Sequence, residues 1–534
     1  MLVAAQAEQT VTCAAPHAGA AGRLRLGIGK MLRFNVYRNN ERANAIDLSG
    51  AYLFGQDGIP VRGDLAVAES TITCKKRVHG ACGLSLMWDV GEPGRLMLST
   101  TRLPDRDRPY NLNIELARAR LRIIASKIEE WGLFDYPKAA DFNREFRTVG
   151  QMFITALKAS PAERAAGLAD NALEAAVTLS ERLALFHADV FLDRKSAAGA
   201  AARTRFGCRV PLEQPDQSYR DRLREAFDFL AIPMPWKQVE PQESRYQFSQ
   251  IDTWINFAAR ARRPIQVGPV IDFDPGNLPE WLYLWEHDYD SLREVIYEHL
   301  QHIVKRYARQ VRTWSVVSGL HAFNNFNLSF DQIMELTRMC CLLVKKIAPR
   351  SQVMIETVMP WGEYYARNQR TIPPQLYADM AVQSSIQADA FGVQIFMGVP
   401  QDGFYVRDLM QISWLLDEYV GLHKPVRITA CSVPSDTTPD CNDAWGGEMD
   451  ITQAGHWHSP WSPRLQAEWL QAFYRIVISK PYVDSICWRD LGDVNGHYIP
   501  HGGLCLRNME PKLAFRELRN FRAKMATRLE ANNE

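Results

Sequence analysis

The sequence predicts a multidomain chain: a C-terminal α/β (β/α)8 TIM barrel, preceded by an N-terminal β-sandwich domain and a helical connector. Three observations predict it. From Phe206 onward, eight short apolar runs alternate with amphipathic helical stretches over about 320 residues. Residues 31–120 hold short runs of period-2 character separated by Gly- and Asn-containing turns. Between these regions lie long stripes of 3.6 periodicity. The rival fold, an open doubly wound sheet, calls for a glycine-rich phosphate turn after an early strand, and none is visible.

The totals fit this division. A chain of 534 residues exceeds one ordinary domain. Lys+Arg 62 against Asp+Glu 61 leaves a net charge of +1, so no bulk field favours nucleic acid or an anionic membrane. No run approaches the ~18 apolar residues of a membrane span. The start, MLVAAQAEQTVTC, lacks a basic segment and a long apolar core, so no secretory signal is expected. Residues 1–30 are Ala/Gly-rich and lead to Met31; they are expected to be a disordered leader or an over-called start. The 10 Cys are scattered without any CxxC, which suits reduced thiols and a cytoplasmic location. Cys74 and Cys82 could bridge two strands.

Within 31–120, LRFNVYR, AYLFG, STITCKK, GLSLMWDV and GRLMLSTT read as strands of a small sandwich. Leu84 with Leu86, and Leu96 with Leu98, alternate at the strand period and are expected to face its core, joined by Leu53. Such a domain ahead of a barrel looks like a carbohydrate-binding module, and a packing domain without a ligand fits equally. Residues 121–205 form the connector. Its stretches NIELARARLRIIASKIEEWGLF, which starts a few residues earlier, and ALEAAVTLSERLALFHADVFLDRK carry apolar stripes with i,i+4 charge pairs. KSAAGAAARTR, 195–205, reads as a linker or as the start of the barrel.

The barrel, 206–525, is expected to use strands Gly207–Leu212, Phe229–Trp236, Pro264–Phe273, Val311–Gly319, Ser351–Val358, Ala390–Gly398, Pro425–Val433 and Ser485–Asp493. The fourth organises the rest. VRTWSVVSGL follows the amphipathic helix Ser291–Gln310 and should lie between the third and fifth strands of a closed parallel sheet. Strict alternation would put Trp314, Val316 and Ser318 on one face and Ser315, Val317 and Gly319 on the other.

An ordered series of motifs resembles glycoside hydrolase family 10, the xylanase family, over about three-fifths of the chain. It comprises Trp236, Glu240-Pro241 and Tyr246-Gln247-Phe248 after strand two, and Leu278-Pro279-Glu280-Trp281 after strand three. His302 and Arg306-Tyr307 precede strand four, which carries Trp314-Ser315-Val316-Val317. Phe391-Gly392-Val393-Gln394, Ile428-Thr429, Gln466-Ala467, Trp488, Asp493 and Pro511-Lys512-Leu513-Ala514 follow. The resemblance implies an O-glycosyl hydrolase of the endo-1,4-beta-xylanase type with two catalytic glutamates. This chain departs from it there: the acid/base position is Gly319 and the nucleophile position is Ala430. The places that grip the reactive sugar carry Pro233, Pro235, Pro269, Phe273 and Phe396. Retaining hydrolysis needs two carboxyl groups about 5–5.5 Å apart, and glycine and alanine supply neither. The expectation is therefore a protein that binds carbohydrate, or serves as a scaffold, without hydrolysing it.

The alternative is a glycosidase with displaced acids. Glu356, Asp272, Asp274 and Asp493 are its candidates, with Asp490 and His321 also near strand ends. A turn role is the plain alternative for Asp274, which precedes Pro275-Gly276, and a buried salt bridge for Glu356. Trp236, Gln394, Trp445, Trp457, Trp461 and Trp488 are candidate ligand-binding residues, the tryptophans through ring stacking. His456 and His458 in the loop Asp443–Trp461 have a spacing that metals accept, with His497 or His501 as a third ligand. The loop's other reading is a cover over the barrel mouth made of Trp445, Trp457 and Trp461. No metal and no cofactor are expected. The expected partner is an oligo- or polysaccharide, with no nucleic acid, no membrane and no specified protein partner.

Overall fold

The structure, a computed structural model, describes residues 31–197, 204–213 and 216–530. The expected leader, and most of the expected linker between connector and barrel, lie outside the described residues. The N-terminal strands form two larger sheets and a small hairpin of Tyr37–Arg38 with Glu41–Arg42. One runs in the order Tyr110–Asn111, Leu32–Asn35, Thr71–Lys76, Gly63–Ala68. The other runs His456–Trp457, Gly94–Ser99, Gly83–Asp89, Tyr52–Phe54, Pro60–Val61. The expected leucines are inside: Leu53, Leu84, Leu86, Leu96 and Leu98 are all buried in the main core. Met87 and Met97 point the opposite way and pack on Tyr405 from the barrel side. Gly83–Asp89 is therefore buried on both faces, which explains its nearly unbroken apolar sequence. Strand Gly63–Ala68 was not expected. It lies largely exposed and lacks a buried face to impose a pattern.

Three helices follow: α1 (Leu112–Glu130), α2 (Ala140–Lys158) and α3 (Ala162–Ala197). Asn111 caps α1 by accepting from the Ile114 amide at 3.3 Å. Helix α2 lies inside the stretch that reads as helical, although its own apolar stripe, along which Val149, Phe153 and Ala156 are buried, was not singled out. The 36-residue α3 packs on α1 and α2 on one side and on the barrel helices Leu409–Glu418 and Pro463–Ser479 on the other. Ion pairs stitch this junction. Arg120 and Asp408, both almost fully buried, pair through both guanidinium nitrogens. Asp417 accepts from Lys480 at 2.5 Å and from Lys127 at 3.1 Å.

The C-terminal part is a closed barrel of eight parallel strands: β1 (Arg205–Arg209), β2 (Phe229–Ile232), β3 (Ile265–Val267), β4 (Thr313–Ser318), β5 (Gln352–Thr357), β6 (Ala390–Phe396), β7 (Val426–Ser432) and β8 (Val483–Trp488). β4 pairs with β3 and β5 as expected, and β1 closes the ring against β8. β3 breaks at Gly268-Pro269 and resumes as Ile271–Asp272, still paired with β4. One expectation fails. The register of β4 with β5 shifts between Ser315 and Val317, so strict alternation stops there, and Val316 and Val317 are both buried in the main core. Phe229, Ala231 and Cys487 make a small cluster apart from that core, inside the barrel. All nine described cysteines, Cys74 and Cys82 included, are free thiols.

Candidate functional site at the barrel mouth

The strand ends bring a polar group together. Ser315 on β4 donates to one oxygen of Glu356 on β5 at 2.6 Å, and Gln394 on β6 donates to the other at 2.7 Å. Glu356 is only 2% exposed, and these two bonds are what its burial requires. Asp272 closes the continuation of β3. It accepts from the Asp274 amide at 3.2 Å and from Asn277 at 2.7 Å. Burial, then the Asp274 charge, push its carboxyl up to about 7, and Glu356 adds to the push. Asp274 accepts from the Gly276 amide at 2.9 Å, the turn contact that its place before Pro275-Gly276 predicts. Asp490, just past β8, accepts from the Tyr498 amide at 2.8 Å. Burial and the Asp274 charge raise the Tyr498 phenol well above its usual range.

Two arginines complete this group, and sequence reasoning missed both. Arg209 ends β1 and Arg489 follows β8; in each, a charged residue interrupts an apolar strand end, which was the available signal. Burial, then the neighbouring Arg489 charge, bring Arg209 down to about 10. The Arg489 guanidinium lies 4.8 Å from the centre of the Tyr498 ring.

Beside the polar group sits an apolar one. Ala430 is buried with Phe396, Phe404 and Ile499, flanked by Trp445 and Tyr498. The Trp445 indole donates to the Tyr498 carbonyl at 3.0 Å, which holds the loop after β7 across the mouth. Gly319 has φ of 73°, and a Cβ there would meet the Phe323 ring at 2.9 Å.

The remaining expected residues lie elsewhere. Trp236 is fully buried, stacked on His299 with centroids 4.0 Å apart, and donates to Glu240 at 2.9 Å. Trp488 and Trp461 are buried in the main core, and Trp488 donates to the Gly502 carbonyl at 3.0 Å. Trp457 is buried at the junction with α3. Of the six expected ligand residues, Gln394 and Trp445 line the mouth. The loop Asp443–Trp461 covers the mouth only through its first part, because His456–Trp457 leave it to pair with Gly94–Ser99. His458 turns to Glu181 at 3.0 Å, whereas His497 and His501 face Asp440 at 2.8 and 3.4 Å, so the four imidazoles form no common ligand set. Among the described residues no group of three His, Cys, Asp or Glu has metal-holding geometry. Asp493 pairs with Lys512 at 2.6 Å and accepts from the Gly503 amide at 2.8 Å. His321 is a core residue, stacked on Tyr377 and hydrogen-bonded to the Val358 carbonyl; burial lowers it to about 4.

The fold and the mouth define a parallel α/β barrel with its polar residues gathered at the C-terminal strand ends, where barrels of this kind carry their sites. Residues 195–334 match the model of the family described as Glycosyl hydrolase family 10. The resemblance read from the motifs up to strand four is thereby supported on an independent footing. Among solved structures, the chain is similar to xylanase 10B from Thermotoga petrophila RKU-1, whose crystals hold xylobiose. They share 15% identity over 61% of this chain and 97% of that one, at a TM-score of 0.46. It is likewise similar to xylanase B from Clostridium stercorarium F9, with 14% identity, 61% and 98% coverage and a TM-score of 0.45. Native xylanase 10B from Thermotoga maritima gives 15% identity, 62% and 99% coverage and a TM-score of 0.46. No described helix is long and apolar enough to cross a membrane.

Proposed function

We propose that the protein is a family-10-like barrel that binds carbohydrate without hydrolysing it by the retaining route, and that it acts in the cytoplasm. The observation that carries this reading is the state of the two positions where the resemblance calls for glutamates. Gly319 occupies a left-handed conformation with Phe323 packed against it, and Ala430 lies beneath Phe396 and Phe404. Neither offers a proton or a nucleophile, and general acid/base assistance alone is worth roughly 10²–10⁴-fold in rate. Residues 31–120 are read as a carbohydrate-binding-module-like domain, 121–205 as the connector and 206–525 as the barrel. The test pairs a glycan array with a hydrolysis assay on the same preparation. Binding without release of reducing ends is expected; robust turnover of xylan overturns the reading. Gly319→Glu with Ala430→Glu is expected to give no efficient xylanase, because the left-handed backbone and the aromatic cluster oppose both side chains.

A second reading is supported by Asp272. A carboxyl near pH 7 in the mouth, beside the doubly hydrogen-bonded Glu356, resembles the proton donor of a displaced acid pair. Turnover of any glycoside that disappears in Asp272→Asn or Glu356→Gln would select it over the first.

A further inference from the structure

Arg209 and Arg489 stand side by side, facing into the mouth. β1 and β8 are parallel, with Gly207 opposite Cys487 and Cys208 opposite Trp488, so the next pair in register is Arg209 and Arg489. Cys487 belongs to the cluster inside the barrel, and a Cβ on Gly207 would meet the Phe229 ring of that same cluster. Two residues further on, both arginines keep that inward orientation. Like charges directly across neighbouring strands repel, more so when partly buried.

Among the described residues, no carboxylate oxygen lies within the 4.0 Å of an ion pair from either guanidinium, and neither side chain makes a hydrogen bond. Asp272, Glu356 and Asp490 act on Arg209 by charge, but their hydrogen bonds go elsewhere: Glu356 to Ser315 and Gln394, Asp272 to Asn277 and the Asp274 amide, and Asp490 to the Tyr498 amide. The arrangement thus leaves two adjacent forks of N–H donors at the strand ends. Both side chains are only partly buried, so an incoming group can reach them. A planar oxyanion is the group such forks accept in bidentate fashion.

We infer that Arg209 and Arg489 bind an anionic substituent on the saccharide, the carboxylate of a uronic acid or a sulfate ester, and that the ligand of this barrel is an acidic glycan. The inference rests on the proposed carbohydrate binding and specifies its chemical class. Trp445 and Tyr498 would flank the bound sugar, and Gln394 would face it from β6. The phenol and guanidinium already in contact keep Arg489 from folding back toward solvent.

The test is calorimetric titration of the full chain with xylotetraose, tetragalacturonic acid and a tetrasaccharide bearing sulfate esters, at low and high salt. Charge-assisted hydrogen bonds of this kind are worth about ten- to a hundredfold in affinity. One acidic probe is expected to bind at least about tenfold more tightly than xylotetraose, and to lose that margin in Arg209→Gln and in Arg489→Gln. Which acidic probe keeps the margin separates carboxylate from sulfate. Arg489→Lys, which keeps the charge but not the fork, is expected to retain part of it, and Arg464→Gln, at an exposed position near the start of the helix Pro463–Ser479, all of it. Circular dichroism establishes that each variant is folded. If xylotetraose binds as well as both acidic probes, or if the folded Arg→Gln variants keep the preference, this inference falls while carbohydrate binding stands. If no glycan of any class binds, both fall.

Discussion

The Trp457 indole donates to the Glu181 carboxylate across 2.6 Å, joining the loop after β7 to the middle of α3. The same carboxylate accepts from the Leu409 amide at 3.1 Å and meets the His458 ring at 3.0 Å. One buried acid therefore fixes three segments distant in sequence. Glu181→Ala would strand an indole N–H and an amide in the interior. A loss of about 3 kcal/mol is expected in chemical denaturation, against about 1–2 kcal/mol for Trp457→Phe, which leaves Glu181 its other two partners.

Asp408 is predicted to be more sensitive than its partner Arg120. It receives both nitrogens of Arg120 and also caps the helix Leu409–Glu418, accepting from Met410 and Gln411 amides at 3.0 and 3.1 Å. Breaking a buried pair costs about 3–5 kcal/mol, and loss of the cap adds about 1. Asp408→Ala should therefore lower the melting temperature further than Arg120→Met, which leaves the cap in place.

Gly319→Ala tests whether the position has become structural. With φ at 73° and Phe323 in the way, the methyl group is expected to cost about 1–2 kcal/mol for the left-handed backbone alone. Urea midpoints of the two proteins decide it: equal midpoints would show that the loop relaxes freely and that a larger side chain fits there.

The raised Asp272 carboxyl makes a prediction about pH. Its folded value of about 7 lies above its ordinary 3.8, so between these values the folded protein binds more protons than the unfolded chain. Stability from this group is full below about pH 4 and is lost as pH rises through 7. Asp272→Asn imitates the protonated carboxyl. It should raise the melting temperature relative to the native chain at pH 8, with the difference closing toward pH 4. A difference that grew on acidification would show the carboxylate to be the form the fold prefers.

The barrel was legible because each strand ends an apolar run that a helical stripe follows, and because Trp314, Trp236 and the residues around them repeat a known order. The pair Gly319 and Ala430 was legible for the same reason, as gaps in a familiar pattern. Contacts made across the chain were not. Trp457 and Trp488 look like sugar platforms in a sequence, since nothing local says that α3 will cover one and the Gly502 carbonyl will hold the other. Arg209 and Arg489 are 280 positions apart, and only closure of the ring places them side by side. The exposed strand Gly63–Ala68 escaped because it buries too little to write a period into its sequence.

The pairing of His456–Trp457 with Gly94–Ser99 sets an order on biosynthesis. When the ribosome has released Gly94–Ser99, more than 350 residues remain to be made before the strand that completes this sheet emerges. Until then an apolar edge stands open, at a point in the life of the chain when neighbouring nascent copies are close by. A chain that stops short of Trp457 keeps that edge for good, and would look to a chaperone or a protease like a protein that never finished folding.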